Sequence, residues 1–355
     1  MHISPWGKQI IKLAPYGLNG GIGAGTETGD LPAAAGNNYA QFKLELKNLY
    51  GTIEITDKAI RASENSSGAF VNLLNAEMEG LLKASKFNFG RMLYGDGSGK
   101  LADAVTIEDA TDYTVIQLST LKNVMEGMVI DVIKALDDSV VLTGRRIISI
   151  DRSASTIKIS GTVAEAVGTG HYITVQGSKD LEITGLGAIF SDNDLYGLSR
   201  STYNWMKPYQ DTTGAAISSG LIQKAIDYID EVAGSTVDFI VTSYDVKRFY
   251  LDYLSFSRTN IDYLNLDGGY KALSYNGIPL ISDRFVEDGT MYLLNSGDFK
   301  LHQLCDWRWL EGDGGRIIRQ KAGTPSYSAT LVKYADLICD KPIGQAKISG
   351  IISGI

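Results

Sequence analysis

Phe42-Lys-Leu-Glu-Leu-Lys47 and Thr52-Ile-Glu-Ile-Thr56 are two runs in which apolar and polar residues alternate. Successive side chains of a strand point to opposite faces, so each run reads as a half-buried β-strand. Between them Asn48-Leu-Tyr-Gly51 contains a glycine and reads as a turn, so the pair predicts a β-hairpin. An isolated hairpin is marginal in water and must lean on something else. Phe42, Leu44, Leu46, Tyr50, Ile53 and Ile55 are therefore the expected contact residues toward another copy of the chain. On the N-terminal side, residues 1–36 include Gly20-Gly-Ile-Gly-Ala-Gly25 and Ala33-Ala-Ala-Gly36 and show little periodicity. They predict an irregular, extended arm that orders only against a neighbour.

Toward the C-terminus, Asn65-Ser-Ser-Gly68 offers capping residues for a helix from Phe70 to about Leu93. Phe70, Leu74, Met78, Leu81, Leu82 and Ser85 fall on one stripe of it, and Tyr94-Gly-Asp-Gly-Ser-Gly99 breaks it. From 112 to 178 come short β runs: Tyr113–Gln117, Met128–Ile133, Val140–Leu142 with Arg146–Ile150, Thr156–Ile159 and Tyr172–Val175. Asp, Ser and Gly separate them, which is the signature of a small antiparallel barrel or sandwich forming its own unit. Beyond it the pattern is mixed. Leu221–Val232 is an amphipathic helix between Ser218-Ser219 and Gly234, Val237–Val241 a strand, and Ser243 caps a helix through Leu254. Tyr270–Tyr275 and Ile278–Ser282 flank Asn276-Gly277, the strongest two-residue hairpin signal. Met291–Leu294 and Tyr327–Ile338 are further strands.

Composition narrows the function classes. The 355 residues are 44% hydrophobic and 21% charged, with a net charge of −8, and no basic stripe appears. A protein that grips nucleic acid through phosphates needs one. No apolar run is long enough for a membrane span, and Met1-His-Ile-Ser-Pro-Trp6 lacks the basic and apolar regions of a secretory signal. The expectation is folding in a cytoplasm, with Cys305 and Cys339 as free thiols. His2, His171 and His302 lie far apart, so no metal set suggests itself. The glycine run at 20–25 follows no strand and opens no helix, unlike a dinucleotide fingerprint. Asp96–Gly99 and Glu311–Gly315 lack calcium-loop spacing, and Gly95-Asp-Gly-Ser-Gly99 is not a nucleophile elbow. Trp307-Arg-Trp309 with Arg316 and Arg319 could stack single strands, but at this net charge packing is the better reading.

Read in order, the elements are arm, hairpin, long helix, β unit, α/β domain and late return strand. This order resembles the Hong Kong 97 fold of tailed-phage major capsid proteins. Leu49-Tyr-Gly-Thr-Ile-Glu-Ile-Thr-Asp-Lys-Ala-Ile60 looks like the far strand of that family's extended loop. Leu73-Leu-Asn-Ala-Glu-Met78 with Leu93–Gly99 is similar to its spine helix and exit turn. Tyr196-Gly-Leu-Ser-Arg-Ser-Thr-Tyr-Asn-Trp205 is similar to the entry to its axial domain, and Tyr275–Asp283 with Asp288–Asn295 to that domain's later strands. The resemblance implies an α+β chain divided as follows: arm 1–36, extended loop 37–65, spine helix and part of the peripheral domain 66–111, an inserted small β-barrel or sandwich 112–178, more peripheral domain 179–215, axial domain 216–320, and return strand with C-terminus 321–355.

It also implies a structural subunit with no catalytic site, cofactor or metal. Copies would form hexamers and pentamers of an icosahedral shell that encloses double-stranded DNA without sequence-specific binding. The location would be the virion, after assembly in the host bacterial cytoplasm, with no membrane involved. The β unit is a departure from the basic pattern; it could stabilise its own subunit, bridge capsomers or bind a sugar. There is no long charged N-terminal helical region, which implies a separate scaffolding protein or a precursor segment already missing from this numbering; a portal and decoration proteins are further partners the resemblance implies. Some family members crosslink a lysine to an asparagine, and no motif here marks such a pair. The rival readings are an encapsulin-type compartment, which shares the fold, and a carbohydrate-binding or adhesin-like β-rich protein.

Overall fold

The computed structural model describes residues 2–3, 9–64, 67–109, 112–162, 169–257, 263–265, 271–312 and 315–354. The expected cap at Asn65-Ser66, and Tyr270 of the expected hairpin, lie outside these residues. The chain divides into two compact units, one of Met1–Leu46, Ile189–His302 and Asp336–Ile355, the other of Lys47–Ala188 and Gln303–Ala335.

In the second unit, the predicted turn at Asn48–Gly51 is not a turn. Lys47–Thr56 is one unbroken strand, antiparallel to Ser326–Cys339, with Thr56 opposite Ser326 and Lys47 opposite Ala335. Gly51 has a different use. A Cβ there would sit 2.9 Å from Leu81 Cδ1 of the long helix, so the glycine permits close approach of helix to strand. Because the obstacle is a leucine tip that can rotate, Gly51→Ala is expected to cost only about 1 kcal/mol. A lowered urea midpoint at constant slope would show it; an unchanged midpoint would mean the helix does not press on the strand.

Asp57–Glu64 forms a short helix that the sequence reading passed over. Thr56 Oγ1 accepts from the Ala59 amide at 3.3 Å, and Asp57 pairs with Arg61 one turn on. Ser67–Met92 follows, 26 residues and about 39 Å long at 1.5 Å each. Its predicted stripe holds over the described side chains: Leu74, Met78, Leu81 and Leu82 are half-buried and Ser85 is buried. At its C-terminal end Met92 joins Leu49 and Ile183 in a small core flanked by Phe89, Leu93 and Trp307. Trp307 thus packs edge-on against Phe89 at 6.4 Å, as the packing reading expected. The buried Lys333 ammonium lies 4.9 Å from the Phe89 ring and donates to Gln303 and Asp306, both at 2.7 Å.

Six strands then close into an antiparallel barrel: His171–Val175, Lys100–Asp109, Tyr113–Leu118, Thr156–Ser160, Val140–Asp151 and Val129–Lys134, which pairs again with the first. Closure leaves no sheet edge. Inward positions carry Ile116, Ile130, Val132, Ile147, Ile157, Ile159 and Ile173, all fully buried. Lys100–Asp109 was not expected as a strand, so the β unit begins about a dozen residues before 112. Its inward residues include Ala102 and Ala104, which carry little β propensity. Asp131 fastens the barrel's exit, accepting from the Gly144 amide at 2.9 Å and the Gly177 amide at 2.7 Å.

The barrel stands on a tight neck. The Leu186 amide donates to Leu93 O and the Gly187 amide to Tyr94 O. A Cβ on Gly185 would lie 2.3 Å from Met92 O and 2.7 Å from Leu93 O, so only glycine fits. Beside them Arg91 pairs with Glu182, both almost wholly buried, while Arg91 also donates twice to Asn88 Oδ1. Burial pushes the Glu182 carboxyl above its ordinary value, with Arg91 opposing.

In the first unit a seven-stranded sheet runs in the order Tyr209–Asp211, Ala346–Ile348, Met291–Leu294, Phe239–Thr242, Ile278–Ser282, Lys271–Tyr275, Tyr263–Asn265. Its core joins Ile240, Leu280 and Leu293 to Ile222, Ala225, Val246 and Tyr250 of the helices Ser219–Tyr228 and Tyr244–Phe256. Here sequence signals act as read. Ser218 accepts from the Leu221 amide, Gly234 ends the helical stretch at φ +53°, and Asn276-Gly277 turns at φ +49° and +81°.

Asp211 pins the sheet's edge: it accepts from Thr213 Oγ1 at 2.6 Å, the Thr213 amide at 3.1 Å and Lys224 Nζ at 3.2 Å. These bonds, the Thr213 hydroxyl first, hold its carboxyl down to about 2 from 3.8. A lowered folded pKa adds stability that is complete above the unfolded value and lost as pH falls through the folded one. Asp211→Asn is therefore expected to lose roughly 1–2 kcal/mol at pH 7, after discounting for screening, and much less at pH 2. Equal losses in urea melts at both pH values would contradict this.

Candidate assembly interface

The expected hairpin exists, but from other strands. Ile10–Tyr16 pairs antiparallel with Asn38–Leu44, Ile10 opposite Leu44 and Tyr16 opposite Asn38, and residues 17–37 link them. The irregular arm expected over 1–36 is corrected accordingly: it contains the first strand of this hairpin. Pro15 sits in this two-stranded ribbon opposite Tyr39, where edge positions tolerate proline.

Alternation gives the ribbon two unlike faces. One packs on its own unit, with Ala14, Ala40, Phe42 and Leu44 buried. The Phe42 ring lies 5.1 Å from Tyr196 and 6.1 Å from Trp205, and Tyr16 stacks on Trp205 at 5.1 Å with planes 4° apart. The Lys43 amide donates to Tyr196 O at 2.9 Å. Tyr196 is itself fixed, its hydroxyl donating to Leu337 O at 3.1 Å and accepting from the Cys339 amide at 2.9 Å. At the ribbon's root Lys12 pairs with Asp340, which also takes Lys300. Cys339 and Cys305 are free.

The other face carries Ile11, Leu13 and Tyr39, each more than half exposed, and the linking loop adds Leu18, Ile22 and Leu31 at 82%, 79% and 90%. Exposed apolar side chains on one element make it a candidate interaction site. Of the residues singled out from sequence, Phe42 and Leu44 face the subunit's interior, Ile53 and Ile55 are buried on the Lys47–Thr56 strand, and Leu46 is half-buried. Tyr50 alone is exposed, at 61%, edge-on to Tyr334. Phe42, Leu44, Ile53 and Ile55 thus lie on the inward phase of the alternation. The outward phase was visible in Ile10-Ile-Lys-Leu13, where apolar residues occupy both phases and one must face out.

Among the described residues no cluster of three or more His, Cys, Asp or Glu could hold a metal, and no helix is long and apolar enough to cross a membrane. His171 begins a barrel strand and His302 lies on Phe299–Trp309.

No protein-family model matches the chain, and no curated protein matches it in sequence. Solved structures do. The capsid asymmetric unit of cyanophage A-1(L) aligns over 98% of this chain and 89% of that one, at 15% identity and TM-score 0.59. The capsid of the native GTA particle aligns over 99% and 88%, at 10% identity and TM-score 0.50. The fold is therefore that of tailed-phage capsid proteins, the Hong Kong 97 type. At these identities the likeness establishes the architecture and not the particular protein.

Proposed function

We propose that the chain is the major capsid protein of a tailed bacteriophage, a non-enzymatic subunit that assembles into an icosahedral shell around double-stranded DNA. The observation that carries this reading is the outward apolar face of the 10–44 hairpin, borne on a chain whose fold matches phage capsids from end to end. A subunit that leaves Leu18, Ile22 and Leu31 in water is a poor monomer and a good lattice clasp. Heterologous contacts that close by symmetry make finite shells, here of hexamers and pentamers. In the family's terms Ser67–Met92 is the spine helix, the seven-stranded sheet belongs to the axial domain, and the barrel is an insertion. A separate scaffolding protein, a portal and decoration proteins are the partners this reading calls for. A net charge of −8 lets the wall enclose a polyanion without trapping it.

Electron microscopy of the chain, produced alone and with a scaffolding protein from its own genome, tests this. Uniform polyhedral particles with nuclease-protected DNA in infected cells are expected. A monomer at every concentration would overturn the shell reading, and enclosed protein cargo in place of DNA would turn it into a compartment.

A further inference from the structure

His302 is 3% exposed, and among the described residues neither ring nitrogen has a hydrogen-bond partner. Native proteins rarely leave buried polar atoms so, since each costs about 1–3 kcal/mol. A neutral imidazole can bear that; an imidazolium cannot. The charged groups around it, among the described residues, are Lys12 from the hairpin, Lys300 from its own strand and Asp340 beyond the Ser326–Cys339 strand. Asp340 is already shared by both lysines, with Asp298 farther out beside Lys300 and Asp340. His2 lies on the strand that pairs with Leu301 and His302 on one side, and the buried Asp336 and Cys339 lie on Ser326–Cys339, the neighbouring strand on the other.

We propose that His302 is the proton sensor of a latch at the hairpin root: its protonation sets a third cation against one shared aspartate and frees Lys12, and with it the start of the Ile10–Tyr16 strand. Burial, then Lys12, hold the docked imidazole below its ordinary value, with Asp340 opposing. A root that swings free returns it to about 6.5. The docked form therefore binds fewer protons, so docking is at full strength above about pH 6.5 and weakens as pH falls below it. One linked proton allows the opening constant to rise at most about tenfold per pH unit. The event belongs to the single subunit, so it can fail while the shell reading stands, and the reverse.

Hydrogen exchange of the unassembled full chain between pH 7.5 and 5, corrected for intrinsic rates, reads the latch. Protection at Ile10–Leu13 and Gln41–Leu44 is expected to fall by up to about tenfold per unit below pH 6.5, with Phe239–Thr242 unchanged. In His302→Phe that pH dependence disappears; in His2→Gln it persists. Lys12→Met opens the root already at neutral pH. The same profile in His302→Phe as in the unaltered chain overturns the proposal. Should that variant not fold, a histidine-resolved NMR titration of the unaltered chain decides. A His302 midpoint below 6.5 shared by the hairpin amides supports the latch, and one at the ordinary value, or unshared, overturns it.

Discussion

Changing Ile11, Leu13 and Tyr39 together to lysine is expected to abolish particle formation while leaving the subunit folded. All three are more than half exposed, and surface substitutions of that kind shift stability by about 0.5 kcal/mol or less. If the outward face of the ribbon is buried against a neighbouring copy, each side chain contributes about 1.5 kcal/mol or more to that contact. Removing three loses about 4 kcal/mol per contact, which raises the concentration needed for assembly by roughly a thousandfold. Lysines on a strand edge also discourage pairing. Gln41→Lys adds charge to the same face without removing apolar area, and should assemble more nearly as the unaltered chain does. Light scattering and microscopy across a concentration series, with a urea melt of the soluble fraction, separate assembly from folding. Particles of unchanged yield from the triple variant would remove the hairpin from the interface.

Most of the fold was legible where local chemistry leaves one solution. Asn276-Gly277 adopts the two left-handed backbone angles its turn requires, and Ser218 and Gly234 bound their helix. A small β unit, barrel or sandwich, was legible from short β runs separated by Asp, Ser and Gly; in Tyr113–Leu118 every second residue is buried. Failures came where a residue's role depends on something distant in sequence. Gly51 carries a turn signal locally, but its reason is Leu81. The partner of Asn38–Leu44 is not the next strand but one before it, across the 17–37 loop, and nothing local specifies that pairing. Ala102 and Ala104 face the barrel interior although alanine advertises helix in isolation. The facing of the expected contact residues depends on distant sequence in the same way. Period two tells that a ribbon has two faces, but which face is covered is decided by Tyr196 and Trp205, some 150 residues on.

Glu182→Ala is expected to be among the most destabilising single changes in the chain. Arg91 and Glu182 are each about 3% exposed, at the junction of the long helix with the barrel's neck. Removing the carboxylate leaves a buried guanidinium with Asn88 as its remaining side-chain partner among the described residues, and such broken pairs cost about 3–5 kcal/mol. The neck has no slack to admit water, because Gly185 and Gly187 lie against the backbone of 92–96. The pair itself need not be a net source of stability. Burial raises the Glu182 carboxyl even with Arg91 beside it, so desolvation outweighs attraction at that group. It follows that Arg91→Met combined with Glu182→Leu should recover most of the loss, since two apolar side chains of similar length leave no buried charge. A double-mutant cycle in urea measures this directly. Additive losses in the double variant would mean that the two side chains hold the neck independently, and that the unpaired charge is not what the single substitution exposes.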